Sequence, residues 1–118
     1  MEKQLIFIVD DEKNIRELIK YNLEKSGFIV EVFASGIELL KAMEDRIPAL
    51  ICLDLMLPDY DGLELCKRIR LTPKYMKIPI IMITAKTAEF DTIIGLEAGA
   101  DDYIKKPFSI NEIIARIR

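Results

Sequence analysis

Two aspartates stand side by side where an apolar run ends in FIVDDEKNIRE (residues 7–17), and a helix-forming stretch follows at once. Taken alone, such a pair is a solvated turn or a helix N-cap. Other residues give it more weight. Asp54 closes ALICLD (49–54), Thr84 closes IPIIMIT (78–84), and Lys105-Lys106 end the run that begins DYIK (102–105). Singly, Asp54 is a strand-end residue bonding amides, Thr84 an ordinary β-branched strand residue, and Lys106 a surface lysine. Brought to one place, they supply three carboxylates, a hydroxyl and an ammonium. Three carboxylates a few ångströms apart repel, and one is driven toward its neutral form unless something compensates. A hard divalent cation removes the conflict: Mg²⁺ takes oxygen ligands, keeps several waters and uses one or two carboxylates plus a phosphate oxygen. Asp10 and Asp11 therefore make sense as metal ligands or ligand positioners.

The elements that must bring these groups together are legible as an alternation. LIFIV (5–9), FIVEVF (28–33), ALICLD (49–54), IPIIMIT (78–84) and DYIK (102–105) read as strands. The first, third and fourth are apolar on both faces, as in parallel strands covered above and below. The second alternates more and the fifth is short and charged, which suits edges. Between them, Ile15, Leu18, Ile19 and Asn22 follow helical spacing, with Gly27 just beyond as a stop. Ser35 and Glu38, and Ser109 and Glu112, have capping-box spacing before apolar-periodic runs. Segments 62–70 and 88–98 are the remaining predicted helices. A (βα) unit repeated five times with right-handed crossovers gives an α/β fold, a five-stranded parallel sheet with helices on both faces. In such sheets ligands bind outside the carboxyl ends of the strands, where the five polar residues are expected. The predicted core comprises Leu5, Phe7, Val9, Ile15, Leu18, Ile19, Leu40, Ile51, Leu53, Ile69, Ile81 and Ile83.

Length and composition narrow the chemistry. A chain of 118 residues is one domain, and its apolar half is enough for a core without staples. The net charge of −3 argues against a nucleic-acid surface within these residues. No apolar run reaches the ~20 residues of a membrane span, and no signal peptide opens the chain. Cys52 and Cys66 are too few for a disulfide framework and fit a reducing cytoplasm. With no histidine, Ser-His-Asp and Cys-His catalysis and histidine-ligated metals are excluded. The pattern stops at Arg118 without a helix stop signal, so further protein is expected to follow.

The stretches IVDDE, LDLMLPDYDGLELC, PIIMITAK and GLEAGADDYIKKPF resemble the receiver domain of bacterial two-component response regulators, over the whole length 1–118. Any one stretch is a weak signal; all in order are specific. The resemblance implies a doubly wound, flavodoxin-like sheet of order 2-1-3-4-5. It implies that Asp54 accepts a phosphoryl group from a sensor histidine kinase. It implies that Asp10, Asp11, Asp54 and the Met56 backbone carbonyl hold Mg²⁺, with Mn²⁺ as an alternative. Thr84 matches the hydroxyl that turns toward the phosphoryl group, with Ala85 beside it in the phosphoryl-binding set. Lys106 matches the lysine that pairs with phosphoryl oxygens, Tyr103 the aromatic whose burial changes on activation, and Lys106-Pro107 a cis peptide bond.

GADDYIKKPFS resembles most the subfamily whose receivers carry a C-terminal winged-helix DNA-binding domain. This implies a homodimer through the fourth helix, fifth strand and fifth helix, with Asp101, Asp102, Glu112 and Arg116 at charged positions of that face. Thr92 departs from the pattern, standing where a basic residue usually faces Glu112. DNA contact would come only through the effector domain. Met56 and Lys86, two residues past Asp54 and Thr84, replace groups that orient an attacking water in fast-turnover receivers, so slow self-dephosphorylation is expected. Competing readings fit less well. DYDG (59–62) fails as a calcium loop, because glycine is needed at position six and glutamate at twelve. An aspartate-nucleophile phosphatase resembles a D-x-D arrangement that neither Asp10 nor Asp54 offers. A phosphorylation-independent interaction module would lack one of the five site residues, and none is missing.

Overall fold

The computed structural model describes residues 3–84, 99–105 and 109–117. Five strands, β1 (Leu5–Val9), β2 (Ile29–Phe33), β3 (Leu50–Leu53), β4 (Ile80–Thr84) and β5 (Asp102–Lys105), form one sheet. All pairings are parallel and the order is β2-β1-β3-β4-β5. The two strands with polar signatures therefore lie at the edges, as their sequences demand. Four helices are described: α1 (Lys13–Lys25), α2 (Gly36–Asp45), α3 (Gly62–Leu71) and α4 (Ile110–Ile117). The helix expected over 88–98 lies outside the described residues.

Alternate residues of each inner strand feed two separate cores. Phe7, Val9, Ile51, Leu53 and Met82 pack with Leu39 and Met43 of α2 and with Leu65 and Ile69 of α3. Ile6, Ile8, Cys52, Ile81 and Ile83 pack with Ile19 and Leu23 of α1 and Ile113 of α4. Burial on both faces explains why these strands carry no polar alternation.

One core expectation needs correcting. Leu18 is 46% exposed, and the buried stripe of α1 runs through Ile19 and Leu23, with Ile15 half-buried. The spacing i, i+4, i+8 from Ile15 competes with i, i+3, i+7, and the sheet contact selects the former. Leu5 and Leu40 are half-buried, and Ile6 and Ile8 belong fully to the second core.

Helix starts are fixed by side chains. Ser35 Oγ accepts from the Glu38 amide at 3.3 Å, and Glu38 reaches back to the Ala34 amide at 3.1 Å, one residue beyond the usual box partner. Asp61 caps α3 through the Leu63 amide at 2.9 Å, and Ser109 Oγ accepts from the Glu112 amide at 3.1 Å.

Candidate functional site at the carboxyl edge of the sheet

Val9 and Leu53 are register partners on adjacent strands, so Asp10 and Asp54 leave the sheet next to each other. The Asp54 amide donates to Val9 O at 3.0 Å and the Asp10 amide to Phe33 O at 3.1 Å, extending the ladder one step past the strands. Both carboxylates are nearly enclosed, with Asp10 2% and Asp54 4% exposed; they are the only buried charged side chains among the described residues. Burial of charge is costly unless it is compensated, so two such groups at one edge mark a site and not a surface accident.

The local turns aim these carboxylates. Asp10 Oδ1 accepts from the Glu12 amide at 2.9 Å, and Arg16 Nη1 donates to the Asp10 carbonyl at 2.8 Å. Asp54 Oδ1 accepts from the Met56 amide at 3.0 Å. The segment Leu55–Asp61 lines a shallow groove with Asp11.

Carboxylate oxygens of Asp10, Asp11 and Glu12 lie within 4.8 Å of one another. An all-oxygen, all-carboxylate donor set suits a hard cation such as Mg²⁺ and not a thiophilic one. Glu12, not among the expected ligands, completes this close triad, and the expected ligand Asp54, one residue past β3, is not part of it. Met56 lies on the wall of the groove that Asp11 also lines.

Thr84 ends β4 in register with Lys105, so the backbone brings the fourth and fifth strand ends to the same edge. The Thr84 side chain, Ala85, Lys86, Thr92, Lys106 and the Lys106-Pro107 bond lie outside the described residues. Tyr103, 9% exposed, packs in the core of α2 and α3.

Three of the four expected dimer-face charges, Asp101, Asp102 and Arg116, pair within the chain. Arg116 Nη1 donates to both oxygens of Asp102 at 2.9 Å, and Asp101 Oδ2 accepts from Arg70 Nη2 at 2.6 Å and from the Ile80 amide at 2.8 Å. Arg70, unremarkable in the sequence, also donates to the carbonyls of Gly99, Met76 and Ile78. Glu112 is half-buried beside its cap.

The family described as Response regulator receiver domain matches residues 6–118. The alkaline phosphatase synthesis transcriptional regulatory protein PhoP of Bacillus subtilis is 50% identical over 113 residues, which span 96% of this chain and 46% of that protein. The chain thus spans about half the length of the curated relative it matches. A putative response regulator from Chloroflexus aurantiacus superposes with a TM-score of 0.94 at 37% identity, over 98% of this chain and 95% of that one. The BeF3-activated N-terminal receiver domain of Klebsiella pneumoniae RstA superposes at 0.89 with 32% identity, over 97% and 95%. No described helix is long and apolar enough to cross a membrane.

Proposed function

The chain belongs to the response regulator receiver domain family of two-component signalling, and on that premise we propose that Asp54 is its phosphoacceptor in a Mg²⁺-dependent transfer. The observation that carries this is the pair of enclosed carboxylates, Asp10 and Asp54, at adjoining strand ends.

An Asp54 carboxylate oxygen attacks phosphorus of a sensor kinase's phosphohistidine. The new O–P bond forms as the P–N bond breaks, and the imidazole leaves with the electron pair and takes up a proton. The difficulty is charge, since a carboxylate approaches a phosphoryl group that is itself anionic. Asp10, Asp11, Asp54 and the Met56 carbonyl, with Glu12 adjoining, would hold Mg²⁺, which would neutralise charge on the phosphoryl oxygens. Lys106 supplies a further positive charge. The Met56 amide holds one Asp54 carboxylate oxygen and so orients the group. Thr84 and the Ala85 amide bind the transferred group, and Tyr103 responds through its packing. To carry the domain from ~1:99 to ~99:1 active, these contacts must favour the active state by about 5.5 kcal/mol.

The output we propose is transcriptional. Residues 1–118 form a cytoplasmic receiver whose phosphorylation promotes a homodimer through the face of the helix predicted over 88–98, β5 and α4, and a DNA-binding effector follows in the whole protein. With Met56 and Lys86 standing two residues past Asp54 and Thr84 in the sequence, the phosphoryl group is lost slowly. Incorporation of label from acetyl phosphate with and without Mg²⁺, in wild type and Asp54→Asn, tests the reading. Mg²⁺-dependent label confined to wild type is expected; equal label in both overturns it.

A further inference from the structure

The loop from Asp54 to Gly62 is tied to itself at three places. The Met56 amide bonds Asp54 Oδ1 at 3.0 Å, Met56 bridges Asp61, and the Gly62 amide donates to Leu55 O at 2.9 Å. These ties shape the loop, and Leu55 and Leu57 pack it on the core. Asp59 fastens its far side to α2. Its Oδ1 accepts from the Gly36 amide at 2.9 Å and its Oδ2 from the Ile37 amide at 2.8 Å, so one carboxylate spans the first two amides of α2. These amides have no partner within their own helix, and a negative charge there is favourable. The next residue reinforces the seat. A β-carbon at Gly36 would stand 2.5 Å from a Tyr60 ring carbon, so the ring rests where position 36 has no side chain. Arg68 Nη1 holds the Tyr60 hydroxyl at 2.9 Å from α3. Below, Leu39 and Met43 anchor α2 in the core.

We propose that Asp59 is a positioning residue of the phosphoacceptor site, fastening the loop to α2 so that the Met56 main chain stands at a fixed place relative to Asp54. The inference rests on the reading of Asp54 as phosphoacceptor and of the Met56 carbonyl as a cation ligand. A helix cap alone contributes stability. A strut from the core to a ligand-bearing loop also sets metal affinity, because the carbonyl must be in place before the cation arrives.

The test is calorimetric titration of the 118-residue protein with Mg²⁺, alongside acetyl phosphate labelling, for wild type, Asp59→Ala, Asp59→Asn and Gly36→Ala, each checked for folding by circular dichroism. Asp59→Ala is expected to raise the Mg²⁺ Kd about tenfold, the scale on which outer partners of metal ligands act. Labelling at limiting Mg²⁺ slows with it and recovers at saturating Mg²⁺. Asp59→Asn keeps one acceptor and falls between. Gly36→Ala, which unseats Tyr60 and leaves the carboxylate intact, moves the Kd in the same direction. If Asp59→Ala does not fold, Asp59→Asn and Gly36→Ala decide. Folded variants that are less stable yet bind Mg²⁺ and label as wild type does would overturn the proposal and leave Asp59 a helix cap. A wild type that binds no Mg²⁺ and takes no label overturns the phosphoacceptor reading itself, and this inference with it.

Discussion

Gly62 presses on the main chain of Asp54: a β-carbon on this glycine would stand 2.6 Å from the Asp54 carbonyl oxygen and would also strike Leu55 Cα. The start of α3 is thereby packed directly against the backbone that carries the proposed phosphoacceptor. Neither neighbour is a flexible side-chain end, so the backbone itself must move to admit a methyl group. Gly62→Ala should cost about 1–3 kcal/mol, as overpacking does. It should also slow acetyl phosphate labelling of Asp54. Thermal unfolding and a labelling time course read the two effects, and a variant normal in both would contradict the packing.

Arg70 satisfies three carbonyls and a carboxylate with one guanidinium, from a side chain only 19% exposed. Its loss strands acceptors in the turn from α3 to β4 and in the approach to β5. Arg70→Ala should destabilise by roughly 2–4 kcal/mol in urea unfolding, given ~1.5–3 kcal/mol for hydrogen bonds of a charged group. Arg70→Lys should recover little, because an ammonium cannot reproduce the planar fork.

The two neighbours Leu18 and Ile19 should separate cleanly. Ile19 is 1% exposed and Leu18 46%. Ile19→Ala should cost about 2–4 kcal/mol and Leu18→Ala less than about 1. Paired denaturant curves check this, and comparable losses would mean the sheet-facing stripe is wrongly assigned.

Asp59 links stability to pH. Partial burial raises its carboxyl pKa, but hydrogen bonds from the backbone amides of Gly36, Ile37, Asp59 and Tyr60 together outweigh that and hold it below the ordinary 3.8. A folded pKa below the unfolded one means the contribution is complete above about pH 4 and is lost as pH falls through the folded value. Acid unfolding of wild type and Asp59→Asn should therefore show a stability gap at neutral pH that closes in strong acid.

Cys52 and Cys66 should be inert in the native protein. Burial pushes the Cys52 thiol up to about 12. Cys66 rises to about 11, from burial with Arg70 opposing and Asp101 adding to it. At pH 8 almost no thiolate forms in either, so a disulfide-exchange reagent should count no reactive thiol in buffer and two in denaturant.

The sheet was legible because each strand's apolar register is dictated by burial on one or both faces, and polar β2 and β5 could only be edges. Asp10 and Asp54 were legible because strand ends of a parallel sheet share an edge. Leu18 misled because helical spacing alone admits two stripes, and only the sheet decides which is turned inward. Asp59 and Arg70 left no local signal. Asp59 finds its partners 22 and 23 residues away, and Arg70 reaches 29 and 31 residues ahead to Gly99 and Asp101. Their roles come from the path of the chain in space, which no window of sequence contains. Glu12 had a signal in the run Asp-Asp-Glu, which reads equally as the acidic start of a helix.

The bond between Arg116 and Asp102 makes each molecule its own competitor. Were two copies to meet through this face and exchange partners, one ion pair would be traded for another and the tally of charge contacts would be unchanged. Such an exchange selects a mate of the right geometry while adding little to the strength of the union.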